Sequence, residues 1–455
     1  MAYKIDNRKE IWMTIKVGLV SLGCPKNLVD SEVMLGLLKD SGYIITNRAE
    51  EADVIIINTC SFINDAKKES IDTILEMARL KTEGNCSALL VAGCLAQRYP
   101  DELKEEMPEI DGLLGTGALD HVCTLVEMAL AGNKTSLVKK PGYLHTATQP
   151  RIQATSFYTS YLKIAEGCDN RCTYCTIPTV RGSFRSRRIE DVLNEAKKMV
   201  ESGVKEIILV AQDTTRYGLD LYGRPSLDTL LEKLCQLEGL VWIRLLYTYP
   251  SLINNQLIQL IAREEKICKY LDLPLQHASD KILRLMKRRG SRLEIEQLIK
   301  ELRSQIPGIA LRSSFIVGFP GETEDDFEQL LDFIARMRFD RVGVFTYSQE
   351  EGTPAATLPN QIPEEIKLAR RDKAMALQQK ISLENNKKKV GSQLYVLVEN
   401  DNHDGSYIGR TESDAPDIDG KVYFTSELAL QAGDFVKVLI TEARTYDLIG
   451  KHVTT

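Results

Sequence analysis

Short apolar runs rich in β-branched residues, alternating with helical patterns, govern what this chain can fold into. The first four runs are KVGLVSLG (16–23), DVIIINT (53–59), ALLVAG (88–93) and DGLLGTG (111–117). Runs of this kind suit strands buried on both faces of a parallel sheet. Helical patterns near 27–40, 64–81, 95–105 and 118–131 accompany them, which predicts a small wound α/β domain over residues 14–135. Three of the runs end on a cysteine: Cys24 in SLGC, Cys60 in INTC and Cys94 in VAGC. The carboxyl ends of parallel strands share one edge, where ligands bind. Three thiols well separated in sequence are therefore expected to converge.

Residues 136–156 are polar, contain two prolines and lack a helical period, so they read as a linker. From 157 to 386 the alternation resumes. Six strand candidates are YLKIAEG, EIILVAQD, WIRLLYTYP, YLDLPLQ, LRSSFIVGFP and RVGVFTYS, with helical patterns such as IEDVLNEAKKMVES and EDDFEQLLDFIARM between them. Repeated βα units with right-handed crossovers form a barrel. Six units are fewer than the eight of a closed one, so a partial (β/α)6 barrel is predicted, followed by a charged helix near 362–389. Residues 387–455 switch to short alternating strands split by turn signals such as DNHDG and DIDG, the pattern of a small all-β barrel.

A second cysteine set lies in EGCDNRCTYC (166–175), directly after the first strand of this barrel. Cys168, Cys172 and Cys175 thus sit at the C-terminal mouth, where such barrels keep their chemistry. Structural zinc takes four ligands, usually as two spaced pairs. Only three are present, and His145 lies upstream in the linker. A cubane iron–sulfur cluster on three thiolates accounts better for the odd number, because it leaves one iron open to a chelating ligand. By the same argument Cys24, Cys60 and Cys94 suit a second cluster with an open iron. Cys86, Cys123, Cys235 and Cys268 lack this placement and read as packing residues.

The C-x-x-x-C-x-x-C spacing, with Tyr174 before the third cysteine, resembles the signature of radical S-adenosylmethionine enzymes. Taken with GCPKNLVDSE (23–32), the two cysteine trios and the terminal β-barrel, nearly the whole chain resembles the radical methylthiotransferases. The resemblance implies two [4Fe-4S] clusters, S-adenosylmethionine as both methyl donor and radical source, and a terminal barrel that is TRAM-like and OB-like. It implies cofactor contacts from Tyr174, Gln212, Gln276, Arg312, Gly318 and Glu322, with the FIVGFPGE segment (315–322) against the adenine. The plain alternatives are a tight Gly-Pro turn for that segment and satisfied polar groups for the others. His277, alone at a strand end, reads as structural. No catalytic residue beyond the cluster ligands is implied.

Pro25-Lys26-Asn27 after Cys24, and GSYIGRTESDAPDIDG (405–420), resemble the branch that modifies the β-carbon of an aspartate in small-subunit ribosomal protein twelve. The other branch modifies an adenosine of transfer RNA. Charge points the same way. The net charge of −6 falls entirely within residues 390–455, where eleven acids face five Lys and Arg. A module gripping RNA would need the opposite sign. An acidic one suits a basic ribosomal protein, or merely aids solubility. An electron donor, flavodoxin-like or similar, is also implied. No apolar run approaches the roughly 18 residues of a membrane span, and MAYKIDNRKEIWM lacks the apolar stretch of a signal peptide. A cytoplasmic location with reduced thiols is the expectation.

Overall fold

The structure is a computed structural model describing residues 14–454. The stretch 1–13, on which the expectation of no signal peptide rests, lies outside them. The chain divides into two compact units. One comprises residues up to 155 together with 163–171 and 175–195; the other comprises 156–162, 172–174 and everything from 196 onward.

The first unit is built on a six-stranded sheet in the order Ile44–Thr46, Lys16–Ser21, Val54–Thr59, Ala88–Gly93, Gly112–Gly115, Thr135–Leu137. All neighbours pair in parallel. Every residue of Val54–Thr59 and Ala88–Gly93 is buried, as unbroken apolar runs require. Side chains alternate between the two faces. Ile56 and Leu90 pack with Met34 and Leu38 on one, while Ile55, Ile57 and Leu89 pack with Ile74 and Leu103 on the other. The two outer strands escape a pattern search because each is only three residues long.

The stretch predicted as a linker overlaps the last of these strands and is fastened down. Arg151 pairs with Glu32 and, at 2.7 Å, with Glu195. The Ile152 N–H donates to the Glu32 carbonyl at 3.0 Å, and the Ala154 N–H donates to the Glu32 carboxylate at 2.6 Å. A Cβ on Gly36 would come within 2.2 Å of the Pro150 carbonyl oxygen. Polar, proline-rich composition does not distinguish a free linker from a docked strap.

In the second unit the sheet order is Arg341–Thr346, Ala310–Val317, Ile267–Gln276, Trp242–Leu245, Glu206–Val210, Thr159–Lys163, the last strand entering the first unit at Lys163. The registers from Glu206–Val210 to Arg341–Thr346 are parallel. This is the predicted open, six-stranded barrel. Two of its helices begin in reciprocal capping boxes, Ser291 with Glu294 and Thr323 with Asp326. The final strands close into a five-stranded barrel, Gln393–Asp401, Ser406–Thr411, Val422–Thr425, Leu448–His452 and Phe435–Ala443 in spatial order. Its fifth strand, LIGKH, is too short and mixed to read from sequence.

Buried ions tie this small barrel to the starts of the sheet strands. Glu206, with no solvent exposure, receives Arg410 on both carboxylate oxygens and Arg244 at 3.0 Å. Arg341 binds Asp414 at 2.6 Å, the Tyr270 hydroxyl donates to Asp419 at 2.7 Å, and Arg410 binds Glu399 at 2.6 Å. Several of the acids behind the −6 are therefore spent inside the unit. Of those remaining, Asp404, Asp417, Glu427 and Glu442 are exposed, alongside Lys421, Lys437, Arg444 and Lys451. Asp401, Glu412, Asp434 and Asp447 are partly exposed as well, so acids still outnumber bases on the surface of this barrel.

Candidate functional site

Strands Lys16–Ser21, Val54–Thr59 and Ala88–Gly93 are adjacent and parallel, so Cys24, Cys60 and Cys94 emerge along one edge, as expected. Cys24 caps the helix Pro25–Asp40 from an extended conformation, with Pro25 at the first helical position. Gly23 precedes it at φ 86°, where a Cβ would lie 2.7 Å from the Cys60 Cβ and 3.1 Å from its Sγ. Gly93, before Cys94, has φ 91°, and a Cβ there would lie 2.3 Å from Asn58 Oδ1. Only glycine allows these turns at this spacing.

The thiols feel one another. Burial, then the charge of Cys94, pushes the Cys60 thiol up to about 12. Burial raises the Cys94 thiol as well, while Arg181 pulls it down. Among the described residues no three His, Cys, Asp or Glu side chains are gathered as for a single metal ion. A cubane binds each thiolate to a different iron and spreads its ligands wider than one ion would. Three strand-end thiols with a cation beside them, and no carboxylate among the three, fit that larger anionic group.

Sequence reasoning missed what surrounds this trio. Arg181, 3% exposed, donates to Cys94 Sγ at 3.4 Å and to Asn27 Oδ1 at 2.7 Å through one guanidinium nitrogen. Its other terminal nitrogen meets Asp30 at 2.5 Å and Glu166 at 3.3 Å. Lys163, also buried, bridges the same two carboxylates, Glu166 at 2.7 Å. Asn27 donates to the carbonyls of Leu22 and Thr59 at 2.8 and 3.1 Å, which pins the ends of two cysteine-bearing strands. Asn27 and Asp30 stand one helical turn apart within GCPKNLVDSE, so they lie on one face. That spacing was the available signal.

In the second trio, Cys168 and Cys175 belong to the first unit and Cys172 to the second. In the first, Gly167 at φ 82° packs so closely that a Cβ would lie 2.2 Å from the Ser183 carbonyl oxygen. The Cys168 N–H donates to the Gly182 carbonyl at 3.1 Å, and Asp169 accepts from the Phe184 N–H at 3.1 Å. In the second unit Cys172 is buried. Its neighbour Thr173 is anchored through its N–H to Met286 O and through its hydroxyl to Leu285 O, at 3.1 and 2.8 Å. Tyr174 packs against Ile282, Met286, Phe319 and Tyr347. The Arg288 guanidinium lies 4.1 Å from the Tyr249 ring centroid and close enough to Cys172 to feel its charge.

The other predicted contacts separate by position. Gln276 ends its strand at φ 75°, and Gln212 lies just beyond Glu206–Val210. Gly318, at φ 72°, follows Ala310–Val317, and a Cβ there would strike Lys367 Cγ at 2.2 Å. These three sit at strand ends, on the side expected for a cofactor. Arg312 does not. It lies near the start of its strand, bonded to Asp272 at 2.8 Å and 3.6 Å from Asp419. That geometry makes it part of the fastening beneath the sheet.

Glu322 is buried, accepts from the Phe319 N–H at 3.0 Å and pairs with Arg370 at 3.0 Å. His277, fully buried, accepts at Nδ1 from the Ser279 N–H and points Nε2 toward Glu322 at 3.7 Å. Burial pushes the Glu322 carboxyl up to about 7 against the pull of Arg370. Burial holds His277 down at about 3, so the ring is neutral, as its structural reading implies. The raised Glu322 value favours the folded state most below pH 4.5, and that contribution disappears as pH rises through 7. His277 acts oppositely, stabilising above its ordinary value and less as pH falls toward 3. Glu322→Gln removes only the first of these. The stability of wild type relative to this variant should therefore fall by about 3 kcal/mol between pH 4 and 8, measured from urea midpoints at each pH. Parallel pH profiles for the two proteins would contradict it.

Comparison with known proteins gives three matching family descriptions. "Uncharacterized protein family UPF0004" covers residues 16–115, the "Radical SAM superfamily" covers 162–334 and the "TRAM domain" covers 390–453. A "Ribosomal protein uS12 methylthiotransferase RimO" of Pelotomaculum thermopropionicum is 63% identical over 97% of this chain and 100% of its own length. The protein of the same name from Desulforamulus reducens is 56% identical over 96% of this chain and 99% of its own. Among solved structures, the radical S-adenosylmethionine methyltransferase TsrM of Kitasatospora setae aligns with a TM-score of 0.57 at 13% identity, over 81% of this chain and 89% of that one. The last likeness concerns the fold alone.

Proposed function

The chain belongs to the ribosomal protein uS12 methylthiotransferase family of radical S-adenosylmethionine enzymes, and we propose that its six strand-end and loop cysteines are the ligands of two [4Fe-4S] clusters. Cys24, Cys60 and Cys94 would hold one; Cys168, Cys172 and Cys175 would hold the other, with S-adenosylmethionine at its open iron. The observation that carries this reading is the convergence of three strand-end thiols on one sheet edge beside a buried arginine. When bound, the clusters and S-adenosylmethionine supply the radical, the methyl group and the sulfur relay that an unactivated carbon–hydrogen bond requires.

The chain's own residues hold and shape these sites. Gly23 and Gly93 let two cysteine loops turn tightly at the sheet edge. Thr173 and Tyr174 anchor the Cys172 loop against a packed apolar cluster. Gln212, Gln276 and Gly318, at strand ends, are the proposed contacts for S-adenosylmethionine, with Glu322 holding the Gly318 turn. The target is the β-carbon of an aspartate of ribosomal protein uS12, reached in the cytoplasm, with electrons from a flavodoxin-like donor. The exposed acids Asp404, Asp417 and Glu427 are proposed to meet basic side chains of the substrate.

Mass spectrometry of ribosomal protein uS12 from cells lacking this chain should find the methylthio group absent. Anaerobic preparation should yield about eight irons per chain, four for each cubane. Stoichiometric zinc without iron would sink the assignment. Transfer RNA should bind weakly; tight binding that falls steeply with salt would mark a nucleic-acid substrate instead.

A further inference from the structure

We propose that Arg181 is a positioning residue that raises the reduction potential of the N-terminal cluster by donating to the Cys94 sulfur from a buried, carboxylate-held guanidinium. The inference rests on Cys24, Cys60 and Cys94 being cluster ligands. Arg181 is 3% exposed, so water screens its charge little. One guanidinium nitrogen faces Cys94 Sγ at 3.4 Å and Asn27 at 2.7 Å. The other is clamped by Asp30 at 2.5 Å and Glu166 at 3.3 Å, both of which also take Lys163. The fork geometry of arginine fixes which face meets the sulfur.

The sign follows from the charges. Two cations and two carboxylates make the buried group neutral, with a cationic face toward the thiolate. A hydrogen bond to a cluster sulfur favours the form carrying more negative charge, which is the reduced one. Replacing Arg181 by glutamine removes that donor. It also leaves Asp30 and Glu166 with Lys163 alone, so one negative charge stays uncompensated nearby. Both changes disfavour reduction, and they add.

The test uses the full chain carrying Cys168→Ala, Cys172→Ala and Cys175→Ala, so that only the N-terminal cluster remains, titrated anaerobically with dithionite and redox mediators. Arg181→Gln should retain about four irons, yet show a reduced-to-oxidised ratio at least tenfold lower at fixed potential. For one electron that is a downward shift of 59 mV or more. Adding Asp30→Asn should recover part of the shift, because it removes the stranded charge. Arg181→Lys should lie between wild type and Arg181→Gln. An unchanged potential at full iron content would overturn the proposal. So would loss of iron in Arg181→Gln and Arg181→Lys alike, which would make Arg181 a packing residue only. A background chain that binds no iron would instead refute the three-cysteine assignment beneath it.

Discussion

Replacing Cys60 by alanine should reduce methylthio transfer to background while 5′-deoxyadenosine still forms from S-adenosylmethionine. Cys60 ends a fully buried central strand of the first sheet, between the strands that lead to Cys24 and Cys94. Its loss takes one of three thiolates from a set that has none to spare. Nothing in the substitution touches Cys168, Cys172 or Cys175. Deleting a half-buried sulfhydryl at a strand end removes little apolar area, so the sheet should survive and circular dichroism should be unchanged. Cys172→Ala should give the reverse pattern: no 5′-deoxyadenosine, and therefore no product either. Chromatography of both nucleoside and modified protein from one reaction reads the two outcomes together. Product formation by the Cys60 variant would break the division of labour between the two trios. So would loss of 5′-deoxyadenosine in the Cys60 variant with iron at the second trio intact.

The two cysteine trios stand out in the sequence because covalent spacing and strand position both speak there. C-x-x-x-C-x-x-C after an apolar run is local, and SLGC, INTC and VAGC repeat one relation between strand and thiol. The six barrel strands were legible for a similar reason: each carries a short apolar run, such as IILV or FIV, set between helical patterns. What stayed hidden was pairing at long range. Arg181 lies 151 residues from Asp30, and no periodicity announces such a bond. A summed charge likewise hides which terminal acids are used internally: Asp414 and Asp419 point inward to Arg341 and Tyr270. The resemblance implied a cofactor contact from Arg312, whereas its place near the start of its strand pairs it with Asp272. In a barrel of this type the two ends differ in role, chemistry at one and stability at the other.

That distinction gives the largest expected change in stability. Glu206→Gln keeps shape and removes one charge, leaving Arg410 and Arg244 buried without their shared carboxylate. Glu206 and Arg244 have no solvent exposure and Arg410 has 1%, so water does not compensate. Glu399 still holds Arg410 at 2.6 Å, and the Glu412 carbonyl still accepts from Arg244 at 2.6 Å, but neither replaces a carboxylate that serves both cations. Breaking a buried pair from one side costs about 3–5 kcal/mol. The variant should therefore unfold at markedly lower denaturant. Trp242 reports the event directly, because its ring lies 5.8 Å from the Arg244 guanidinium and 5.9 Å from that of Arg410. The chain has two tryptophans, so a Trp12→Phe background leaves Trp242 as the single emitter. Glu442→Gln is the control: its side chain is 63% exposed, and a change there should stay within about 0.5 kcal/mol. Limited proteolysis separates local from global loss, since a loosened terminal barrel should be released from Glu206→Gln as a fragment beginning near residue 390. If Glu206→Gln and Glu442→Gln unfold at the same midpoint, the ion cluster is not what fastens the small barrel to the sheet, and the apolar contact of Trp242 with Phe435, 4.8 Å between ring centroids, must carry that task instead.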